Sequence, residues 1–312
     1  MPPPQHTATG AAIGVIGGGL MGVGIAVRFA LAGHATTVVE TNAGRAGGVA
    51  AIAAGILDEL AEAGLVDGPQ RQAALGRLAV SGALADVAAA DAVIEAIPEV
   101  LEAKHALYAK LEPLLAPGAV IASNTSGFAP DVLSAGLRLP ERFLIGHFWN
   151  PPHAIPLVEV VPGSATDPAV AQRFAALLTQ AGAEAVVLKA AIPGFIGNRL
   201  QFAVLREALH IVRSGVATAD EVDRVMKASL GRRYGLMGPL EVADLGGLGT
   251  FLSIASHLMP DLARDQEPLE LLRELVEKGR LGAATGQGFY TWDDARREHL
   301  KDVRRQQLAA LR

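Results

Sequence analysis

The stretch "AIGVIGGGLMGVGIAVRFALAGH" constrains this chain more than any other. It opens with a short apolar run, Ile13 to Ile16, of the kind that forms a buried β-strand. It then passes through glycines and continues as a helical pattern ending near Gly33, a good helix C-cap. Gly17, Gly19 and Gly22 take the spacing G-x-G-x-x-G at the strand-to-helix joint. The first glycine permits a tight turn, the second lets a pyrophosphate approach the backbone, and the third allows close helix–strand packing. Leu20 and Met21 open the helix, whose N-terminus faces the phosphate charge. In a chain with 35 glycines this spacing is weak by itself. The next strand sharpens it. "ATTVVE" is β-branched and ends in Glu40, eighteen residues past Gly22. A carboxylate there accepts a bond from a ribose 2′-hydroxyl and repels a 2′-phosphate, so NAD is expected over NADP. Arg45 lies close enough to leave some tolerance for NADP.

Strand-like and helix-like segments then alternate. "DAVIEAIPE" (91–99) and "GAVIASNTS" (118–126) read as buried strands, separated by a helical segment over 100–116. The alternation predicts an α/β fold with a Rossmann-like, doubly wound and largely parallel sheet. Ligands collect at the carboxyl ends of such strands, where Glu99, Asn124 and Ser126 fall. Near residue 190 the strands stop. "IPGFIGNRLQFAVLREALHIVRSG" predicts a long helix with Pro193 at its start and Gly215 after its end. "TADEVDRVMKASLG" opens with a helix-cap signature, and "PLELLRELVEKG" is amphipathic. Two domains are expected, 1–189 and an all-helical 190–312, in keeping with a 312-residue chain. Asn198 and Arg199, near the start of the long helix, face either ligand or water. The closing "WDDARREHLKDVRRQQLAALR" reads as a solvated helix of mixed charge.

Composition excludes several classes of function. A net charge of −5 without a Lys/Arg stripe gives no reason to expect nucleic acid. No cysteine is present, which removes disulfides, thiolate catalysis and Cys-ligated metal, and suits a reducing, cytoplasmic setting. The start, "MPPPQHTATG", lacks the basic residues of a secretory signal. Gly10 to Val27 is uncharged and long enough to raise the question of a membrane span, but its seven clustered glycines argue against one. No metal-binding pattern stands out, and a small-molecule substrate is expected.

Residues 146–161, "GHFWNPPHAIPLVEVV", place two histidines around a proline-rich bend. Glu159 sits inside an apolar run, where a carboxylate is costly unless a partner cancels its charge. His147 ends one predicted strand and Glu159 lies within the next, so a bridge across neighbouring strands is feasible. A carboxylate so placed fixes the imidazole tautomer and raises its basicity. His153 sits in the bend itself and is expected to be wetter. On these residues alone, His147 reads equally well as a structural histidine and as an acid–base group.

Seven stretches together resemble the 3-hydroxyacyl-CoA dehydrogenase family. They are "VIGGGLMGVGIA", "VIEAIPEVLEAK", "ASNTSG", "GHFWNPPHAIPLVEVV", "PGFIGNRL", "GPLEVADLGGL" and "GRLGAATGQGFY", in the family's order. The resemblance implies NAD as cofactor, hydride transfer from the carbon that bears a 3-hydroxyl, and a helical C-terminal domain carrying homodimer contacts. It implies that His147 is the catalytic base and Glu159 its acidic partner. It also places Ser126 on the substrate hydroxyl, Asn198 beside the reacting carbons, and Glu99 and Lys104 near the nicotinamide ribose. His153 has no counterpart role. Two departures bear on the substrate. "NPPHAIPLVE" replaces the usual "NPVPVMKLVE" and looks more like the lambda-crystallin (L-gulonate 3-dehydrogenase) branch and members acting on free acids such as carnitine or a pyridine carboxylate. The helical pair after Glu40 has no lysine, only Arg45, Arg71 and Arg77. Against this, "SNTS" and "TGQGFY" are more typical of short-chain 3-hydroxybutyryl-CoA dehydrogenases, and an L-3-hydroxyacyl-CoA is the expected substrate. The alternatives are a free 3-hydroxy acid or alcohol and a non-enzymatic NAD-binding role of the lambda-crystallin kind.

Overall fold

A computed structural model of the protein describes residues 10–267 and 270–309. Residues 1–9, most of the start read above for a signal sequence, lie outside the described residues. The chain divides into two units, Met1–Ile196 with Asp302–Arg312, and Gly197–Lys301.

The first unit runs β1 (Ala12–Ile16), α1 (Leu20–Leu31), β2 (Ala35–Val39), α2 (Ala43–Glu62), α3 (Gly68–Arg77), β3 (Leu78–Ser81), β4 (Ala92–Glu95), α4 (Leu101–Leu111), β5 (Val120–Ser123), α5 (Pro130–Ser134), β6 (Phe143–Phe148), β7 (Leu157–Pro162), α6 (Pro168–Gln180) and β8 (Glu184–Val187). The strands form one sheet in the order β3-β2-β1-β4-β5-β6-β7-β8. Every neighbouring pair is parallel except β6 and β7. Those two are joined by the proline-rich bend, too short to hold the crossover helix that a parallel pair requires. Strands β4, β5 and β6 are buried along their whole length, as expected of a sheet covered on both faces.

The order reverses between β1 and β4, and sheets of this kind bind ligand at such a switch point, beyond the carboxyl ends of the strands. The uncharged stretch from Gly10 is β1 and α1. Its side chains Val23, Ile25, Val27 and Phe29 are fully buried, each stabilising the fold by roughly 1.5–3 kcal/mol. No described helix is long and apolar enough to cross a membrane. Arg28, the one charge in α1, is buried and donates to the carbonyls of Pro152, Ile155 and Gly182 at 2.8, 2.9 and 3.0 Å. It thereby clamps the proline-rich bend to α1.

The second unit contains α7 (Gly197–Arg213), α8 (Ala219–Ala228), α9 (Leu230–Tyr234), α10 (Pro239–Gly246), α11 (Leu248–Leu258), α12 (Glu270–Glu277) and the beginning of α13 (Asp294–Ala309). Three expectations change. The long helix begins at Gly197, not at Pro193, because the backbone before it is held in a turn with Gly194 at φ 76° and Phe195 at φ 50°. The last helix is not wholly solvated: its final turns belong to the first unit, where Leu308 is fully buried in the core. And His153 is not wet. Its ring is 4% exposed, with Nε2 3.2 Å from the Arg304 guanidinium and 3.6 Å from the Glu59 carboxylate, and burial holds the imidazole below its ordinary value.

Candidate active site

The glycine loop follows directly from local sterics. Gly17 has φ 117°, and a Cβ there would lie 2.6 Å from the Ala96 carbonyl oxygen. A Cβ on Gly22 would lie 1.9 Å from the Gly17 carbonyl oxygen, so close helix–loop packing demands glycine at both. Gly19 differs: no protein atom comes within 4 Å of its Cβ position. The open space beside Gly19, at the N-cap of α1, is a cradle that a Cβ would fill and a phosphate can use. Leu20, the first helical residue, is 71% exposed beside it.

Glu40 follows the last residue of β2 and is buried. Its carboxylate accepts from the backbone N–H of Gly18 at 3.2 Å and of Asn42 at 2.9 Å, and pairs with Arg45 at 3.2 Å. Burial pushes this carboxyl up, but the two N–H groups and the Arg45 guanidinium outweigh it and hold it below the usual carboxylate range. It is therefore ionised at neutral pH, as a partner of a ribose diol must be. Cradle, helix N-terminus and carboxylate together fit NAD.

Across the switch point, β4 ends in Glu95 and β5 in Ser123, neighbours in the parallel ladder. Glu95 is fully buried, and its carboxylate accepts from Lys104 Nζ at 2.7 Å, Ile97 N at 2.8 Å, Tyr108 OH at 2.6 Å and Ser123 Oγ at 2.7 Å. Burial and the Glu95 charge push the Tyr108 phenol well up, so it stays a donor. The Lys104 side chain is 1% exposed and also pairs with Glu99 at 3.2 Å. Glu99, half exposed, accepts in turn from Thr125 Oγ1 and from Gly127 N at 3.1 Å. Asn124 anchors the same loop to β6, accepting from Phe148 N at 2.9 Å, while Ser126 is exposed two residues on. Reading the sequence missed Glu95. Its signal was present, since an acid closing the apolar run "AVIE" needs partners just as Glu159 does.

The antiparallel register sets His147 directly opposite Glu159. His147 Nδ1 donates to Glu159 Oε2 at 2.9 Å, and both side chains are buried. Trp149 Nε1 reaches the same oxygen at 3.4 Å, and Ile196 N donates to Oε1 at 2.8 Å. The imidazole is flanked by the Phe195 and Trp149 rings, with centroids at 5.3 and 5.8 Å. With Nδ1–H committed to the carboxylate, Nε2 carries the lone pair, and the ring is set up to take a proton. Asn198 lies in the first turn of α7, in the second unit. No group of three or more His, Asp or Glu among the described residues is arranged to hold a metal ion.

Residues 12–191 match the model of the 3-hydroxyacyl-CoA dehydrogenase NAD binding domain, and residues 194–292 that of the same enzymes' C-terminal domain. The chain belongs to the 3-hydroxyacyl-CoA dehydrogenase family. As a member it is an oxidoreductase acting on a CH–OH group, with NAD as its cofactor. It is 36% identical to a 3-hydroxybutyryl-CoA dehydrogenase of Bradyrhizobium diazoefficiens, over 91% of this chain and 96% of that one. It is 31% identical to the 5-formyl-3-hydroxy-2-methylpyridine 4-carboxylate 5-dehydrogenase of Mesorhizobium japonicum, over 96% of each chain. A crystal structure of a dehydrogenase of that pyridine carboxylate, described as an NAD+ dependent dismutase, superposes with a TM-score of 0.88. It is 29% identical and covers 97% of both chains.

Proposed function

We propose that this family member oxidises an L-3-hydroxyacyl-CoA of short chain to the 3-ketoacyl-CoA, with His147 as the general base. The supporting observation is the buried His147–Glu159 pair, 2.9 Å between Nδ1 and Oε2. His147 Nε2 takes the proton from the 3-hydroxyl, and Glu159 stabilises the imidazolium that forms and keeps the ring oriented. Bound NAD supplies the hydride acceptor. Gly17, Gly19, Leu20, Met21 and Gly22 cradle its pyrophosphate, Glu40 takes the adenosine ribose, and Asn124 and Glu99 border the nicotinamide half. Ser126 holds the substrate hydroxyl. The part of Asn198 in the same step is proposed from the resemblance alone. The thioester is supported by the 36% identity to a 3-hydroxybutyryl-CoA dehydrogenase.

A second reading, oxidation of a small free hydroxy acid, is favoured by a specific observation. Helix α13 begins after the matched C-terminal domain ends at residue 292. Its Arg304 pairs with Glu59 of α2 and reaches His153 of the "NPPHAI" bend, the stretch that departs from acyl-CoA members. The alignment with the pyridine-carboxylate dehydrogenase covers 96% of this chain. Helices α2 and α3 carry no lysine. NADH formation with matched 3-hydroxy acids, free and as CoA thioesters, separates the readings. Turnover with thioesters alone upholds the first, turnover with free acids alone replaces it with the second, and NAD binding without any turnover points to the non-enzymatic role.

The assembly is proposed to be a homodimer joined through the second unit. Leu240, Leu245, Leu248 and Leu252 of α10 and α11 are all more than 60% exposed, an apolar face suited to a second copy. A chain without cysteine also suits the reducing cytoplasm.

A further inference from the structure

The bend between β6 and β7 leaves His147 behind on one side and returns to Glu159 on the other, and three helices of the first unit grip it. From α1, Arg28 donates to the Pro152 and Ile155 carbonyls. Gly24 of the same helix lets the bend come close, since a Cβ there would lie 2.6 Å from Pro152 Cγ and 3.3 Å from His153 Nδ1. From α2 comes Glu59, and from the final turns of α13 comes Arg304. The Arg304 guanidinium spans both oxygens of that carboxylate, Nε to Oε1 and Nη2 to Oε2, the latter at 2.9 Å. Its Nη2 also donates to His153 Nε2 at 3.2 Å. A planar guanidinium that meets both oxygens of a carboxylate is fixed in orientation as well as in charge. His153 Nε2 accepts only while it carries no proton. Burial, with the Arg304 and Arg28 charges, keeps the imidazole below its ordinary value against the pull of Glu59.

The pair between Arg304 and Glu59 is partly exposed, at 44% and 29%. Such pairs add little to stability, so this one acts through where it sets His153 and not through how tightly the chain folds. Four residues before His153, Trp149 stands beside the His147 ring and reaches Glu159 with its indole N–H. Trp149 thus links the bend to the base. We propose that Arg304 is a positioning residue for the His147–Glu159 pair: with Glu59 it clasps His153, and the clasped bend holds Trp149 against both members of the pair. The role rests on His147 acting as the base, as proposed above. One turn beyond Arg304, Leu308 is buried in the core. The end of α13 therefore carries one side chain that packs and one that touches the bend, and the two roles can be told apart.

Trp149 and Trp292 are the only tryptophans of the chain, so Trp292→Phe leaves Trp149 as the sole reporter. In that background Arg304→Met, Glu59→Met, the two together and Leu308→Ala are compared. Trp149 emission and its acrylamide quenching report the bend, and calorimetry reports NADH affinity. Steady-state kinetics use 3-hydroxybutyryl-CoA and free 3-hydroxybutyrate, and a thermal melt reports stability. Arg304→Met is expected to shift Trp149 emission to the red, to raise its quenching and to lower kcat by about tenfold, with KM and NADH affinity unchanged. Glu59→Met is expected to act alike, and the combination no more strongly, because both changes break one contact. Leu308→Ala is expected to lower the melting temperature more than Arg304→Met does, yet to keep the Trp149 signal and kcat. The proposal is overturned if Arg304→Met leaves either the Trp149 signal or kcat unchanged. It is equally overturned if the Trp149 signal follows the loss of stability in Leu308→Ala, as a merely structural helix end would have it. A raised KM or a weakened NADH affinity with an unmoved Trp149 marks Arg304 as a ligand and also overturns it. If the reference protein binds NADH but turns over neither compound, the proposed reaction fails, and the Trp149 signal still decides whether the clasp exists.

Discussion

Replacing Glu159 by glutamine tests the proposed base without moving it. The carboxylate is 1% exposed and meets His147 Nδ1 at 2.9 Å, which puts the charge centres of carboxylate and imidazolium about 4 Å apart. At an effective dielectric near 20 that pairing is worth ~4 kcal/mol. Glutamine keeps a neutral hydrogen bond worth ~1 kcal/mol, so about 3 kcal/mol of imidazolium stabilisation disappears. If the imidazolium is fully formed in the transition state, kcat falls by about two powers of ten. The amide also has only one acceptor, whereas Glu159 serves His147 on one oxygen and Ile196 N on the other. One buried donor is then left facing an NH2 group, at a stability cost of about 1–3 kcal/mol. Steady-state kinetics with saturating NAD, calorimetric NADH binding and a thermal melt read the three effects separately. The expected pattern is a hundredfold lower kcat, unchanged NADH affinity and a lowered melting temperature. A kcat within threefold of wild type would falsify the base assignment.

Further outcomes are expected elsewhere in the first unit. Gly19→Ala adds a Cβ that meets no protein atom, so the melt should be unchanged while NADH affinity drops by roughly tenfold or more; normal affinity would mean that the cradle is not the phosphate site. Glu40→Gln should narrow the preference for NAD over NADP, with Arg45 left to meet a 2′-phosphate, as judged by KM for each cofactor. Because the folded-state carboxyl of Glu40 lies below its unfolded value, its contribution to stability is complete above about pH 4.5 and is lost as the pH falls through the folded-state value. Glu40→Gln should therefore flatten the stability–pH slope below that point, and an unchanged acid limb in denaturant titrations would contradict the assignment. Leu308→Ala should cost about 2–5 kcal/mol by chemical denaturation, since its side chain is fully buried; a cost under ~0.5 kcal/mol would show that the end of α13 does not dock.

The residues that the sequence brings to the site without help are those whose geometry is local. The turn of Gly17, the packing of Gly22 and the opening of α1 lie within a few positions of each other, so spacing alone reveals them. The same holds for Glu40, placed by the length of one helix and one strand. His147 and Glu159 are twelve residues apart, joined by a bend that dictates antiparallel pairing, and their meeting is legible as a costly buried acid opposite a histidine. The Glu95 network is not legible in that way. Its members lie on β4, α4 and β5, with Ser123 twenty-eight residues from Glu95, and only sheet register brings them together. His153 looked solvated because a proline-rich bend usually is; its burial depends on Arg28 of α1 and Arg304 of α13, more than a hundred residues away on either side.

Hydrophobic period and glycine spacing, both short-range, thus determined the sheet and the glycine loop that opens α1. Tertiary structure alone decided which buried charges neutralise one another and that the last helix returns to the first unit. The physical reason is range: a strand or a turn is chosen by neighbours in the chain, whereas a buried charge must find its partner among whatever side chains the finished sheet sets beside it.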